Sequence, residues 1–404
     1  MPFQVSLSGL NAASSDLNVT ANNVANVNTT GFKRSRANFM ELFATGLQSV
    51  ARNATGQGVR LASVDQQFSQ GNIDFTQNNL DLAITGDGFF TLNNGGAITY
   101  SRAGAFGVNR EGFVTNATGA RLQVFPPVET GGFNTGQLED LRLITTDSAP
   151  RTTTTVEAGL NLPANATAPT VPFDPDDPDS YNHSRSVTIF DSLGAQHNAT
   201  YYFVKGTNDN EWEVRLYING DPVGGPEALD FDGNGSLINP VNGIINFPPW
   251  TPPSGANDIS LATNLRNTTQ FGSAFSVNSL SQDGFTSGRL IGVDISAEGV
   301  VFARFTNGQS TALGKVALSN FANPQGLENV GDTAWAETFE SGSVLRGEAG
   351  TGSFGLVQSG ALESANVNLT EELVNMITAQ RNFQANAQMI STADTITQTI
   401  INIR

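Results

Sequence analysis

The sequence predicts a mainly β protein with an α-helix at each end: two nested β domains, the outer inserted in the inner, plus a coiled-coil domain built from both termini. Three observations carry this prediction. Apolar residues recur at helical spacing near the two ends, and the stretches between read as strands. Glycine is abundant, 42 in 404 residues, and with Ser, Thr and Asn it punctuates short runs in the way turns between strands require. The strand pattern that precedes Thr145 changes there and resumes after about Ser279, as an insertion would make it.

In chain order, segment 1–30 opens with Leu7, Leu10, Ser14, Leu17, Ala21 and Val24 spaced three and four apart, the seam of a coiled coil, and predicts a helix over 1–28. Asn22, Asn23, Asn26, Thr30, Gly31 and Phe32 then end it. Asparagine and threonine side chains compete with the helical ladder for backbone partners, and Gly31 supplies the positive φ that turns the chain away. Segment 31–70 reads as an extended linker. In 71–144, the first half of the inner β domain, Leu80 to Leu92 reads as a strand, a Gly-Asp-Gly turn and a second strand. Phe106, Phe113, Leu122 and Phe125 are its core candidates. Segment 145–279 is the inserted outer domain. It carries a Pro/Asp/Thr-rich loop, Pro163 to Pro178, and a run from Trp212 to Ile218 whose alternation demands one buried face. Segment 280–357 completes the inner domain, and 358–404 closes the chain with a helix over 364–404. There Leu369, Leu373, Met376, Gln380, Phe383, Ala387, Ile390, Asp394, Thr397 and Ile401 continue the rhythm. The polar members of both seams predict helices that are marginal alone and ordered when copies pack together.

Composition excludes some functions. A formal net charge of −17 opposes nucleic-acid binding, which needs a basic face over phosphates. With no cysteine there is neither a disulfide nor a thiolate metal site. The first residues, Met1-Pro2-Phe3-Gln4-Val5-Ser6, lack the basic and apolar regions of a Sec-type signal, and no run approaches the roughly 18 apolar residues of a membrane span. Gly350 to Gly355 spells G-x-G-x-x-G but precedes a turn-rich strand rather than a helix, so it predicts no dinucleotide site. Asp230 to Ser236 begins like a calcium loop, yet its twelfth position is Val241, so a β-turn is expected. Asp174, Asp176, Asp177 and Asp179 read as a solvated loop. His183 and His197 are the only histidines and belong to no catalytic motif, so no enzyme activity, metal or cofactor is expected.

The terminal segments resemble a known family. Ser8-Gly9-Leu10-Asn11-Ala12-Ala13 followed by Asn22 to Lys33 is similar to the shared start of flagellar rod and hook proteins. Ser364 to Ile377 and Ala379 to Ala387 resemble their common end. Leu80-Asp81-Leu82-Ala83-Ile84 with Gly88-Phe89-Phe90, and Tyr100 to Phe106 with Gly112 and Leu122-Gln123, look like internal motifs of the same group. Distal rod proteins look similar at both ends but lack a segment like 145–279. Here that segment resembles the outer domain of the hook members, with Tyr202-Phe203-Val204-Lys205 and Asn210-Glu211-Trp212 among its landmarks.

That resemblance implies a structural subunit without cofactor or chemistry. It implies self-assembly into a hollow, curved tube on the cell surface that joins rod to filament, transmits motor torque as a universal joint and encloses the export channel. Its implied partners are further copies of itself, the distal rod protein, the hook cap, the hook–filament junction protein and the flagellar type III export apparatus, with no nucleic acid and no membrane insertion. The candidate polymerisation residues are Leu7, Leu10, Leu17, Val24, Leu369, Leu373, Met376, Ile377, Phe383 and Ile390, expected to be buried in the assembled inner tube. The alternatives are a distal rod-like protein and an extracellular β-rich adhesin or carbohydrate-binding protein.

Overall fold

Strand Glu211–Ile218 shows most directly how this sequence makes sheet. Trp212, Val214, Leu216 and Ile218 are buried while Glu213, Arg215 and Tyr217 point outward, so the period of two read in the sequence is the one found. The computed structural model describes residues 2–42, 56–128, 131–143 and 147–402. It is mainly β, with helices α1 (Pro2–Ala25) and α2 (Leu369–Asn402). The chain divides into two units. One comprises 1–144, 292–304 and 310–404; the other comprises 145–291 and 305–309.

In the first unit, Ser310–Asn320 is the hub of a large sheet, pairing antiparallel with Val300–Phe305, Arg121–Phe125, Phe89–Asn94 and Leu345–Glu348. Leu82, Ile84, Phe90, Leu122, Val316 and Leu318 lie in its core. Gly86 and Gly88 both have positive φ, as the Gly-Asp-Gly turn predicts, but the strands it joins do not form a hairpin. Leu82–Thr85 pairs with Leu356–Ser359, and Phe89–Asn94 pairs with Ala97–Ser101. Phe106, Leu122 and Phe125 are buried as expected. Phe113 is not; it is half-buried beside the guanidinium groups of Arg121 and Arg142, 4.1 and 5.6 Å from its ring centre.

The second unit packs two five-stranded sheets around one core. The first is an antiparallel meander of His183–Phe190, Gln196–Lys205, Glu211–Ile218, Asp221–Phe231 and Leu237–Asn239. The second centres on Thr155–Pro163, parallel to Ala262–Asn264 and Thr269–Phe271 and antiparallel to Ser276–Gln282. Tyr201, Phe203 and Trp212 from one meet Val156, Leu160 and Leu261 from the other.

Several boundaries differ from those the sequence predicts. The outer unit continues past 279 to 291, because Ser276–Gln282 pairs with Thr155–Pro163 and bridges tie Phe285 to Arg151 and Gly288 to Ser148. Segment 31–70 is not a plain linker: Ser35–Glu41 and Val59–Gln66 pair as an antiparallel ribbon, and 43–55 lies outside the described residues. The first helix ends at Ala25, where the Asn26 side chain donates to the Asn22 carbonyl at 3.0 Å. The last helix begins only at Leu369. Before it, 358–363 belongs largely to strands Leu356–Ser359 and Ala361–Glu363, joined at Gly360 with φ +67°. Asn368 caps α2 by accepting from the Thr370 and Glu371 amides at 3.1 and 3.4 Å, and Glu371 and Glu372 suit the positive end of the helix.

Candidate assembly surface

The two terminal helices lie antiparallel. Asn23 donates to Glu372 at 3.3 Å, Gly9 lies against the Asn386 side chain, and Phe3 shares an apolar groove with Met389, Ile396 and Ile400. Small and polar residues make this contact. On α1 the buried positions are Ser6, Ala13, Thr20 and Asn23; on α2 they are Glu372 and Ala379. Without a Cβ at Gly9 the Asn386 side chain lies against α1, and no large apolar side chain is fully buried in the contact.

The seam of α2 facing α1 follows Glu372, Ala379, Asn386 and Ala393, one residue before the predicted Leu373, Gln380, Ala387 and Asp394. Met376, Phe383 and Ile390 are common to both patterns. Of the predicted polymerisation residues, Leu7, Leu369, Leu373, Ile377 and Phe383 are exposed, Ile377 by 50 %. Leu10, Leu17, Val24, Met376 and Ile390 are half-buried. None is fully buried within the chain. Val374, Met389, Ile396, Ile400 and Ile401, absent from the predicted set, are exposed by more than half. All but Ile401, which ends the predicted seam, are spaced off it and were hidden for that reason.

A buried latch ties both ends to the β domain. Asn23 donates to the Ser35 carbonyl and accepts from the Ser35 amide, both at 2.8 Å, so it replaces a missing turn of helix with paired bonds to the ribbon. Gly31, at φ +70°, donates its amide to the Glu363 carbonyl at 2.8 Å, and a Cβ there would strike the backbone of Ala103. Glu363 has a fully buried side chain. One carboxylate oxygen accepts from Lys33 at 2.6 Å and from the Gly71 amide at 2.8 Å; the other accepts from Arg102 at 3.3 Å. Burial pulls the Lys33 ammonium and the Arg102 guanidinium below their usual values, and the Glu363 carboxylate pulls each back up. Asn366 accepts from the Arg34 amide at 2.7 Å and donates to the Gln67 and Ser69 carbonyls. Of the motif residues, the structure brings Asn23 and Gly31 into this latch. Asn22 is exposed, while Asn26, Thr30 and Phe32 are half-buried in the turn after α1. Glu363 is missing from the predicted set, as is its pairing with Lys33.

Elsewhere the polar groups are occupied by structure. His197 bonds Asp191 through Nε2 at 3.1 Å and Asn219 through Nδ1 at 2.9 Å, so neither ring nitrogen faces a nucleophile. Burial pushes the Asp191 carboxyl up, but bonds from His197, the Ala195 and Leu193 amides and Ser254 override it and hold it below the usual carboxylate range. Asp232 accepts from the Asn234 and Ser236 amides, closing a β-turn, and Asp177 caps a short helix at Pro178–Ser180. Gly350 to Gly355 connects two strands. Among the described residues no cluster of His, Asp and Glu could hold a metal ion, and no described helix is long and apolar enough to cross a membrane.

Four protein-family models match along the chain. They are described as flagella basal body rod protein (residues 3–33), flagellar hook protein FlgE/F/G D1 domain (83–174), flagellar basal body protein FlaE D2 domain (161–285) and flagellar basal body rod FlgEFG protein C-terminal (358–403). The flagellar hook protein FlgE of Escherichia coli is 38 % identical over 100 % of both chains. The chain belongs to the flagellar hook protein family. The hook protein FlgE of Borreliella burgdorferi is 33 % identical over 98 % of both chains. The crystal structure of Helicobacter pylori flagellar hook protein FlgE2 shares the fold, with a TM-score of 0.54 at 15 % identity, covering 72 % of this chain and 100 % of that one. In this hook-family chain, the two matched terminal segments, 3–33 and 358–403, are the ones the latch joins.

Proposed function

We propose that this chain is the structural subunit of a bacterial flagellar hook, polymerising through its terminal helices into a hollow, curved tube. One observation carries the helical part of this reading. Of the 34 residues of α2, only Glu372 and Ala379 are buried, while a run of large apolar side chains faces water. A helix so placed gains most of its stability from partners, and identical copies supply them in a polymer. The terminal helices, Pro2–Ala25 and Leu369–Asn402, form the inner layer of the tube. Leu7, Leu10, Leu17, Val24, Leu369, Leu373, Met376, Ile377, Phe383 and Ile390 become buried between copies.

In this reading the tube is extracellular, continues the distal rod, accepts the hook cap during growth and the junction protein afterwards, and conducts subunits delivered by the type III export apparatus. It bends as a universal joint because the β domains meet through wet polar contacts that slide. The chain performs no catalysis and needs no cofactor. Electron microscopy of the purified protein tests this. Curved tubes are expected from the whole chain; a chain ending before Thr395 is expected to stay monomeric with unchanged β content. Tubes of normal appearance from the truncated chain would remove the helix from the mechanism.

A further inference from the structure

α1 carries a single charged side chain, Asp16, and α2 a single basic one, Arg381. Among the described residues neither takes part in an ion pair. Asp16 lines an open groove of about 420 Å³ bounded by α1, the ribbon strand Ser35–Glu41 and the start of α2. The other charges facing that groove are Arg34, Arg36, Glu371 and Glu372. Arg34 is already engaged by both glutamates, at 3.3 and 3.7 Å. Burial pushes the Asp16 carboxyl up, as happens when a half-covered carboxylate has no compensating charge. Arg381 is exposed. At about 100° per residue it stands about 200° around α2 from Ala379, so it projects from the face opposite α1. Its own Asp16 is therefore out of reach although the two helices run side by side.

We propose that Arg381 of one copy enters the groove of a neighbouring copy and pairs with its Asp16, fixing the register of the terminal helices between subunits. The occupant is a second copy of this chain because Asp16 and Arg381 are opposite in sign, lie on the two helices proposed to assemble, and are in no ion pair within one copy among the described residues. A charge pair between packed helices selects a single register from several sterically similar ones. This rests on the assembly proposed above.

Charge exchange tests it on the full chain. Asp16→Asn and Arg381→Gln should each raise the critical concentration for tube formation about tenfold. Asp16→Arg and Arg381→Asp should each abolish tubes, and the double exchange should restore them. Since the chain has no cysteine, Asp16→Cys with Arg381→Cys gives a clean second readout. A bismaleimide of about 10 Å span should yield a ladder of linked copies from assembled protein and none from monomer. Single exchanges that polymerise like wild type would overturn the pairing, and so would a double exchange that folds but does not assemble, or cysteines that link only within one chain. Should the exchanges fail to fold, the cysteine ladder decides alone. A wild-type chain that never assembles overturns the hook reading itself, an outcome separate from any of these.

Discussion

Glu363 holds two cations at a buried site, and such a cluster is easier to break than to justify energetically. Desolvating the three charges cancels much of their attraction, but removing one partner leaves the others buried and uncompensated. Glu363→Gln should therefore lower the stability of the first unit by about 3–5 kcal/mol, read as the loss of one calorimetric transition while that of the second unit stays. Gly31 and Gly119 separate strain from collision. Both have positive φ, but a Cβ at Gly119 would meet nothing within 4 Å, whereas at Gly31 it meets backbone. Gly119→Ala should cost about 1 kcal/mol and Gly31→Ala clearly more than about 2 kcal/mol, by urea denaturation. Asp191 sets a pH dependence in the second unit. Its folded pKa lies below the ordinary 3.8, so its contribution is full above that value and is lost as pH falls through the folded one. The urea midpoint should be flat from pH 7 to about 5 and fall below about 4; Asp191→Asn should flatten the fall and cost about 2 kcal/mol at pH 7. Asn23 and Gly31 were legible in sequence because a dense run of Asn and Thr ahead of a glycine has a local cause. Glu363 was not, because its partner Lys33 stands 330 residues away.

Among the elements, the strand patterns were the most legible. Glu211–Ile218 alternates so strictly that one face must be buried, and it pairs on both sides in the meander. Pairing was not legible: the strands on either side of Gly86-Asp87-Gly88 find partners far along the chain rather than each other. The helices were legible as helices, but the face that α2 turns to α1 was displaced by one residue. Small residues there, Ala379 among them, allow closer approach than the leucines would, and a count of apolar spacing gives alanine and asparagine too little weight. That displacement leaves Leu373 and Ile377 outside. Leu373→Asp with Ile377→Asp should thus change the melting of the monomer by less than about 0.5 kcal/mol while stopping tube growth in a sedimentation assay. A monomer that unfolds in response would mean those side chains already serve the single chain.

At the scale of the molecule, the chain leaves the first unit near 145, builds the second, and returns, so that Leu356–Ser359 and Ala361–Glu363 can pair with Leu82–Thr85 and Ile73–Phe75. That return brings the end of the β domain to the start of α2 beside the end of α1. Nesting was visible in the sequence as a strand pattern that stops and resumes. Its far boundary was not, because Ser276–Gln282 is rich in serine and shows no strong alternation, yet closes a sheet. The second half of α2 is rich in threonines whose hydroxyls bond back to carbonyls four residues earlier, as at Thr395 and Thr399, a sign of a helix with little tertiary support. Amide hydrogen exchange over Leu369–Asn402, in free monomer and in assembled tubes, puts the central claim to its most direct test. Residues beyond about Met389 should exchange nearly freely in the monomer and become strongly protected in the polymer. Equal protection in both states would contradict a helix completed by its neighbours.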